Sequence, residues 1–279
     1  MVSTFQIKPA LILQPFISSY SLRQFDTGEL AMPRPMHAVH EYYMTFFLKE
    51  KFCEVRDNSG SFQYKASNSL CTLFTESQGC TYYKGDYSIF CVQFKSNGIF
   101  AILGLSQKIL INAILPLGDI LGDENNLLLT EQFQSSADIV EMATYINSYF
   151  IKMLLCQKHK IYTDVIAKTS DIVLKNKGVV SMDALALYGC MSLRNFERRF
   201  IDEVGISPKL YARITRFYNA LENKMLHPGK SWAYIANESG YYDQPHFIKE
   251  VKLFSSKSPD ELFKYTPPPT ENFTQKVEY

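Results

Sequence analysis

A chain of 279 residues that is 46% hydrophobic, 20% charged and formally +1 is too apolar for a disordered polyelectrolyte, and it lacks the run of roughly 20 apolar residues that a membrane span needs. Its length suits two ordinary domains. The opening residues MVSTFQIKPALILQPF show no basic stretch ahead of an apolar core and a cleavage site, so no secretory signal is expected and the protein is placed in the cytoplasm, with no membrane partner.

The first part of the chain, from Phe5 to about residue 95, is rich in Tyr, Phe and Thr. Short apolar runs at residues 42–48, 69–74 and 88–94 are separated by turn signals at Asn58-Ser59-Gly60, Ser77-Gln78-Gly79 and Lys84-Gly85-Asp86. This pattern predicts a β-rich region, a sandwich or a barrel. From Ile99 the spacing turns helical, over residues 99–105, 113–121 and 124–156, with 138–155 the most regular stretch. Six cysteines (Cys53, Cys71, Cys80, Cys91, Cys156, Cys190) carry no C-x-x-C spacing, which argues against a zinc knuckle and for buried free thiols. His37, His40 and Glu41 are suitable metal-ligand types, but His-x-x-His-Glu is not the H-x-H pattern of metal cupins, and no metal or cofactor is expected. No G-x-S-x-G, Walker-type or G-x-G-x-x-G segment is present, so the motifs give no ground for an enzyme.

The chain turns polar at Gln157-Lys158-His159-Lys160, which marks a domain boundary. Beyond it the charge balance shifts: residues 160–265 hold 16 Lys/Arg against 12 Asp/Glu, and the rest of the chain 13 against 16. A basic second half suits a polyanion. Residues 164–176 form an amphipathic helix with Gly178 as its stop.

Two stretches then repeat one another. Leu185-Ala186, Cys190, Ser192, Phe196, Phe200 and Ser207-Pro208 recur as Ile235-Ala236, Gly240, Asp243, Phe247, Val251 and Ser258-Pro259, offset by 50 residues as far as Cys190 and by 51 from Ser192 on. Each copy predicts a short helix, a tight turn and a second helix with apolar residues four apart, which is a helix-turn-helix outline. In the first copy Ser192 caps a helix to about residue 203. Phe196 and Phe200 face inward, while Arg194, Glu197, Arg198 and Ile201 share the outer face. On a major-groove helix Arg donates to guanine and Glu accepts from cytosine; Arg199, on the flank, suits a phosphate. In the second copy Phe247 and Val251 pack inward and leave Gln244, His246, Lys249 and Lys252 toward solvent. Gln244 and Lys249 are the base-reading candidates, and Pro245 is tolerated in the first turn. A strong helix beginning at Pro208 joins the copies and carries Lys209, Arg213 and Arg216, which, with Ser192 and Lys252, are candidate phosphate contacts. Three prolines at 267–269 end helical structure and leave a loose tail.

Residues 181–265 resemble the DNA-binding domain of AraC-family transcriptional regulators, chiefly through GISPKLYARITRF and IANESGYYDQPHFIKEVKLF. The resemblance implies two helix-turn-helix units joined by a long helix, with base contacts at Arg194, Glu197, Arg198, Gln244, Pro245 and Lys249. Cys190 and Ser256 stand where the pattern has glycine. The first half is similar, more loosely, to the sensory half of some AraC-type regulators, in the order F-x-x-K-P, P-F-I-x-x-Y and F-x-V-x-F-K. A cupin-like barrel would supply an aromatic-lined cavity, with Tyr42, Phe46, Tyr82, Tyr83 and Phe94 as lining candidates, although core packing explains the same rings.

The expected fold class is α+β: a β-barrel or cupin-like domain with helices over residues 1–157 for ligand sensing or dimerisation, an all-α domain of two helix-turn-helix units over 158–266, and a flexible tail over 267–279. The expected function is sequence-specific regulation of transcription, reading two adjacent major-groove segments of double-stranded DNA. A small-molecule effector, a second copy of the chain and, for an activator, RNA polymerase are the further candidate partners. The alternatives are an interaction module whose units bind protein, and a cupin-like metal-binding protein.

Overall fold

The computed structural model describes residues 2–49, 52–156 and 164–265. The expected domain boundary at 157/158 and the tail over 267–279 lie outside the described residues. Alternating side chains build nine strands in the first part: β1 (Val2–Ile7), β2 (Ile17–Asp26), β3 (Met32–Pro35), β4 (Tyr42–Lys49), β5 (Phe52–Arg56), β6 (Phe62–Lys65), β7 (Ser69–Cys71), β8 (Cys80–Lys84) and β9 (Asp86–Phe94). A tenth, β10 (Ile114–Pro116), follows later. They pair antiparallel into a six-stranded sheet, β1-β2-β9-β4-β7-β10, and a four-stranded sheet, β3-β8-β5-β6. The sheets are open rather than closed into a barrel. Part of the helix expected over 113–121 is therefore a strand. Ile114 and Leu115 pair with Cys71 and Leu70, and Pro116, which has no N–H to donate, ends an edge strand without breaking the ladder.

Helices cover one face of the six-stranded sheet: α1 (Gly98–Leu103), α2 (Leu117–Leu121), α3 (Asp123–Ser135) and α4 (Ile139–Cys156). Register decides which side chains they meet. Tyr42, Met44 and Phe46 lie opposite Phe94, Val92 and Phe90, so all six share the helix-covered face. Phe46 packs edge-on against Phe133 of α3 (4.9 Å between ring centroids) and Phe94 against Phe150 of α4 (5.6 Å). Tyr43, Thr45 and Phe47 point the other way, toward the second sheet.

The rest of the described chain is helical: α5 (Asp164–Lys175), α6 (Met182–Tyr188), α7 (Leu193–Val204), α8 (Pro208–Leu226), α9 (Trp232–Glu238), α10 (Gln244–Ser255) and α11 (Pro259–Tyr265). Serine and aspartate set their starts. Side-chain oxygens of Ser181, Ser192, Ser207, Ser231 and Asp243 each accept from the N–H three residues on, and Ser258 with Glu261 forms a reciprocal capping box ahead of α11.

One apolar cluster runs from the six-stranded sheet into α5–α11. The Tyr42 hydroxyl donates to the Val204 carbonyl at the end of α7 (2.8 Å), and the Ala38 N–H donates to the Phe254 carbonyl at the end of α10 (2.9 Å). The His37 and His40 rings pack against α8, His37 on Phe217 and His40 on Tyr211 and Tyr218. Burial holds both histidines below their ordinary pKa, and so neutral. They belong to this seam; among the described residues no group of three or more His, Cys, Asp or Glu side chains is placed to hold a metal ion. The cysteines divide: Cys53 and Cys91 are buried, Cys71 and Cys80 partly so, and Cys156 and Cys190 are exposed. Tyr42→Phe leaves the Val204 carbonyl without its donor in a buried seam, and should cost about 1–3 kcal/mol in chemical unfolding; an unchanged midpoint would show that water or a rearranged donor replaces the hydroxyl.

Candidate nucleic-acid interface

The 50-residue repeat is a repeat of backbone conformation as well as of residues. The turn between α6 and α7 passes through Cys190 at φ 52°, and the turn between α9 and α10 through Gly240 at φ 74°. The second helices end alike, α7 on Gly205 at φ 92° and α10 on Ser256 at φ 59°. Both glycine-to-other departures therefore occupy left-handed backbone, which disfavours a Cβ. Phe196 and Phe200 of α7, and Phe247, Val251 and Phe254 of α10, are fully or almost fully buried, so the opposite stripe of each helix faces out.

On α7, Arg194 and Arg198 are exposed and Glu197 and Ile201 half-buried; Arg198 donates to the Asn195 side chain (2.9 Å). On α10, Gln244, Pro245, His246, Lys249 and Lys252 are exposed. Among the described residues, the side chains of Arg194, Glu197, Gln244 and Lys249 make no hydrogen bond or ion pair. Tyr242, just ahead of α10, is 92% exposed and was not singled out by the sequence pattern, which has no apolar partner position for it.

The phosphate candidates divide in two. Lys209 and Lys252 are exposed, and Ser192 uses its oxygen to cap α7 (3.3 Å from the Asn195 nitrogen), which leaves its O–H free to donate outward. The three arginines instead turn inward to carboxylates. Arg199 donates to Glu203 (2.9 Å), whose carboxyl is raised by burial against the pull of that arginine. Arg213 donates from Nε to Glu250 Oε1 (2.6 Å) and Arg216 from Nη2 to Glu250 Oε2 (3.3 Å). A groove of about 1000 Å³ between the units is lined by Lys209, Arg213 and Arg216 of α8 and by His246, Lys249 and Lys252 of α10, with Asp183 and Glu250 as its acids.

A second concavity, of about 420 Å³, lies between the two sheets. Its walls include Arg23, Tyr43, Thr45, Phe47, Ile89 and Cys91 of the larger sheet, and Met32, Val55 and Tyr83 of the smaller; Tyr218, Leu221 and Met225 of α8 also line it. Of the five expected lining residues only Tyr83 is there. Tyr42, Phe46 and Phe94 lie on the helix-covered face of the larger sheet, and Tyr82, one residue from Tyr83 on β8, stacks under Arg56 (5.0 Å). Both faces of β4 are apolar, so composition does not give the parity. The Arg23 guanidinium has no hydrogen bond or ion pair among the described residues. Desolvation opposes its charge, and the groups within electrostatic reach of it are Cys91, Tyr43, Tyr83 and Tyr218, each raised above its ordinary pKa, chiefly by burial, and so neutral.

Relief of left-handed strain on an L residue, roughly 1–2 kcal/mol, exceeds the roughly 0.5–1 kcal/mol that glycine costs in chain entropy. Cys190→Gly and Ser256→Gly should therefore each stabilise the helical half by about 0.5–1 kcal/mol. Thermal melts measure it; a lowered midpoint in either variant would mean that the native side chain contributes more than its backbone strain.

Residues 185–265 match a family described as a helix-turn-helix domain. No curated protein sequence matches the chain. Among solved structures it is similar to ToxT from Vibrio cholerae O395, with 10% identity and a TM-score of 0.46 over 88% of this chain and 97% of that one. It is similar also to unsaturated fatty acid-bound wild-type ToxT from Vibrio cholerae strain SCE256, with 12% identity and a TM-score of 0.46 over 94% of each chain. A third likeness, to the AraC-like transcriptional activator CuxR, has 11% identity and a TM-score of 0.28 over 78% of this chain and 86% of that one. With two capped helix-turn-helix units joined by one long helix, residues 185–265 are an AraC-type helix-turn-helix domain, the DNA-binding part of a transcription regulator.

Proposed function

We propose that α7 and α10 read two adjacent major-groove segments, with Arg194, Glu197 and Arg198 on the first and Gln244, Pro245 and Lys249 on the second. The observation that carries this reading is the duplicated unit itself: each second helix buries its apolar stripe and presents outward a stripe of side chains whose polar groups suit base edges. Ser192, Lys209 and Lys252 supply phosphate contacts that fix register. Arg198→Ala and Lys249→Ala should each cost about 1–3 kcal/mol on a site selected from random DNA, and relax preference in separate halves of it. Equal losses on all sequences would make these residues phosphate contacts and overturn the assignment.

The first half is the controlling part, and the inter-sheet cavity is its effector site. Its volume falls in the roughly 300–1,000 Å³ range of small-molecule pockets, and aromatic and aliphatic side chains share its walls with Arg23, Arg34, Asp26 and several hydroxyl and thiol groups. Arg23, a half-buried cation facing neutral phenols and a thiol, favours an anionic ligand, so the effector is an organic anion with an apolar body, its charged group on Arg23. One of the ToxT structures is bound to an unsaturated fatty acid, a ligand of that general description. Alkyl and aryl carboxylates at 100 times their Kd should stabilise the chain by about 2.7 kcal/mol, while the matching neutral alcohols should bind more weakly. Arg23→Met should abolish the difference between acid and alcohol in a thermal-shift series; equal shifts in the native chain would remove Arg23 from the site.

A further inference from the structure

Glu250 occupies a position at odds with a DNA-binding face. Its side chain is only 5% exposed, yet it sits on α10 one residue from the base-reading candidate Lys249 and lines the cationic groove. A carboxylate facing DNA repels phosphate, so its presence there calls for a function inside the protein. Its two oxygens are divided between two arginines of α8, Oε1 to Arg213 and Oε2 to Arg216. The same arginines are held from other sides. The Arg216 guanidinium lies over the Tyr241 ring (4.4 Å), and Arg213 over the Phe254 ring (5.4 Å); Arg216 also reaches the Gly240 carbonyl in the turn before α10 (3.5 Å). His246, one turn before Glu250, has its Nε2 3.8 Å from Oε1.

From this geometry we infer that Glu250 is a positioning residue for DNA reading: it clamps the second recognition helix to α8 through Arg213 and Arg216, and so withholds both arginines from the phosphate backbone. The inference rests on α10 being a DNA-reading helix. Two consequences separate it from a merely stabilising ion pair. The clamp orients Lys249 and Gln244, so it acts on discrimination in the second segment. It also limits the sequence-independent attraction of the groove, because the Glu250 carboxylate cancels one of the two positive charges and tethers both guanidiniums away from the phosphates.

The test is the salt dependence of DNA affinity in the full chain, on the selected site and on a scrambled duplex. Each protein–phosphate contact contributes about 0.9 to the slope of log affinity against log salt. Arg213→Gln and Arg216→Gln should leave that slope unchanged and lower discrimination in the second segment by about tenfold, the equivalent of about 1.4 kcal/mol of base readout. Glu250→Gln should steepen the slope by about 0.9 for each arginine it frees, and tighten binding to the scrambled duplex while loosening base preference. In the double variant Glu250→Gln/Arg213→Gln only one arginine is freed, so the increase should halve. A slope that falls by about 0.9 in Arg213→Gln or Arg216→Gln would show that these arginines contact phosphate, and would overturn the inference. So would unchanged slope and preference in Glu250→Gln. The arginine variants are read even if Glu250→Gln fails to fold, since Arg213 is partly exposed and its replacement leaves Arg216 on the carboxylate. Lys249→Ala keeps the two failures distinct: if it too leaves preference unchanged, the DNA-reading assignment of α10 has failed rather than the clamp.

Discussion

The structure depends on α8 being buried on more than one side. A helix of 19 residues is about 28 Å long, and α8 hides Tyr211, Ala212, Ile214, Thr215, Phe217, Ala220 and Leu221, more than a single amphipathic stripe. Three bodies share that surface. One side carries the Arg213 and Arg216 contacts to α10. Another receives His37 and His40 from the segment between β3 and β4. Toward its C-terminal end, Tyr218, Leu221 and Met225 reach the inter-sheet cavity. A rigid rod packed in this way cannot shift against one neighbour without repacking the others, because close-packed interiors transmit strain.

With the proposed effector in the cavity, that arrangement gives a physical route to the DNA-binding helices without a separate relay. A molecule in the cavity touches the same helix that positions α10, so any difference in how it packs against Tyr218, Leu221 or Met225 is a difference felt at the clamp. The seam that surrounds this route is expensive in polar terms. The His40 Nδ1 and one oxygen of Glu203 have no hydrogen-bond partner among the described residues, and left-handed backbone at Cys190 and Ser256 adds strain. Elements held at such cost are the ones from which two-state behaviour is drawn.

Much of the helical half was legible in the sequence because its signals are local. Ser181, Ser192, Ser231 and Asp243 each mark a helix start through a bond only three residues long, and Pro208 opens α8 where the pattern places it. The glycine argument was legible too: Cys190 and Ser256 depart from the repeat at the positions whose φ is positive. What stayed hidden was pairing at long range. The sheet parity that puts Phe47 rather than Phe46 in the cavity is set by register with β9, and the capture of Ile114–Pro116 as a strand is set by β7. Arg213 and Arg216 read as exposed cations because Glu250 lies 37 and 34 residues away, and Arg23 passed unnoticed because nothing in its own strand shows that a second sheet faces it.

The central claim is that α8 fixes the separation of α7 and α10, and the most direct measurement is binding to selected sites whose two segments are moved apart by inserted base pairs. Each inserted pair shifts the second segment by about 3.4 Å along the duplex and turns it by about 35°, since one helical turn takes 10–10.5 pairs over about 34–36 Å. With α8 as a rigid joint, one or two inserted pairs should reduce affinity to that of a site with a single intact segment. Affinity that stays unchanged across spacers of one to five pairs would mean that the two units move independently, and would contradict the account.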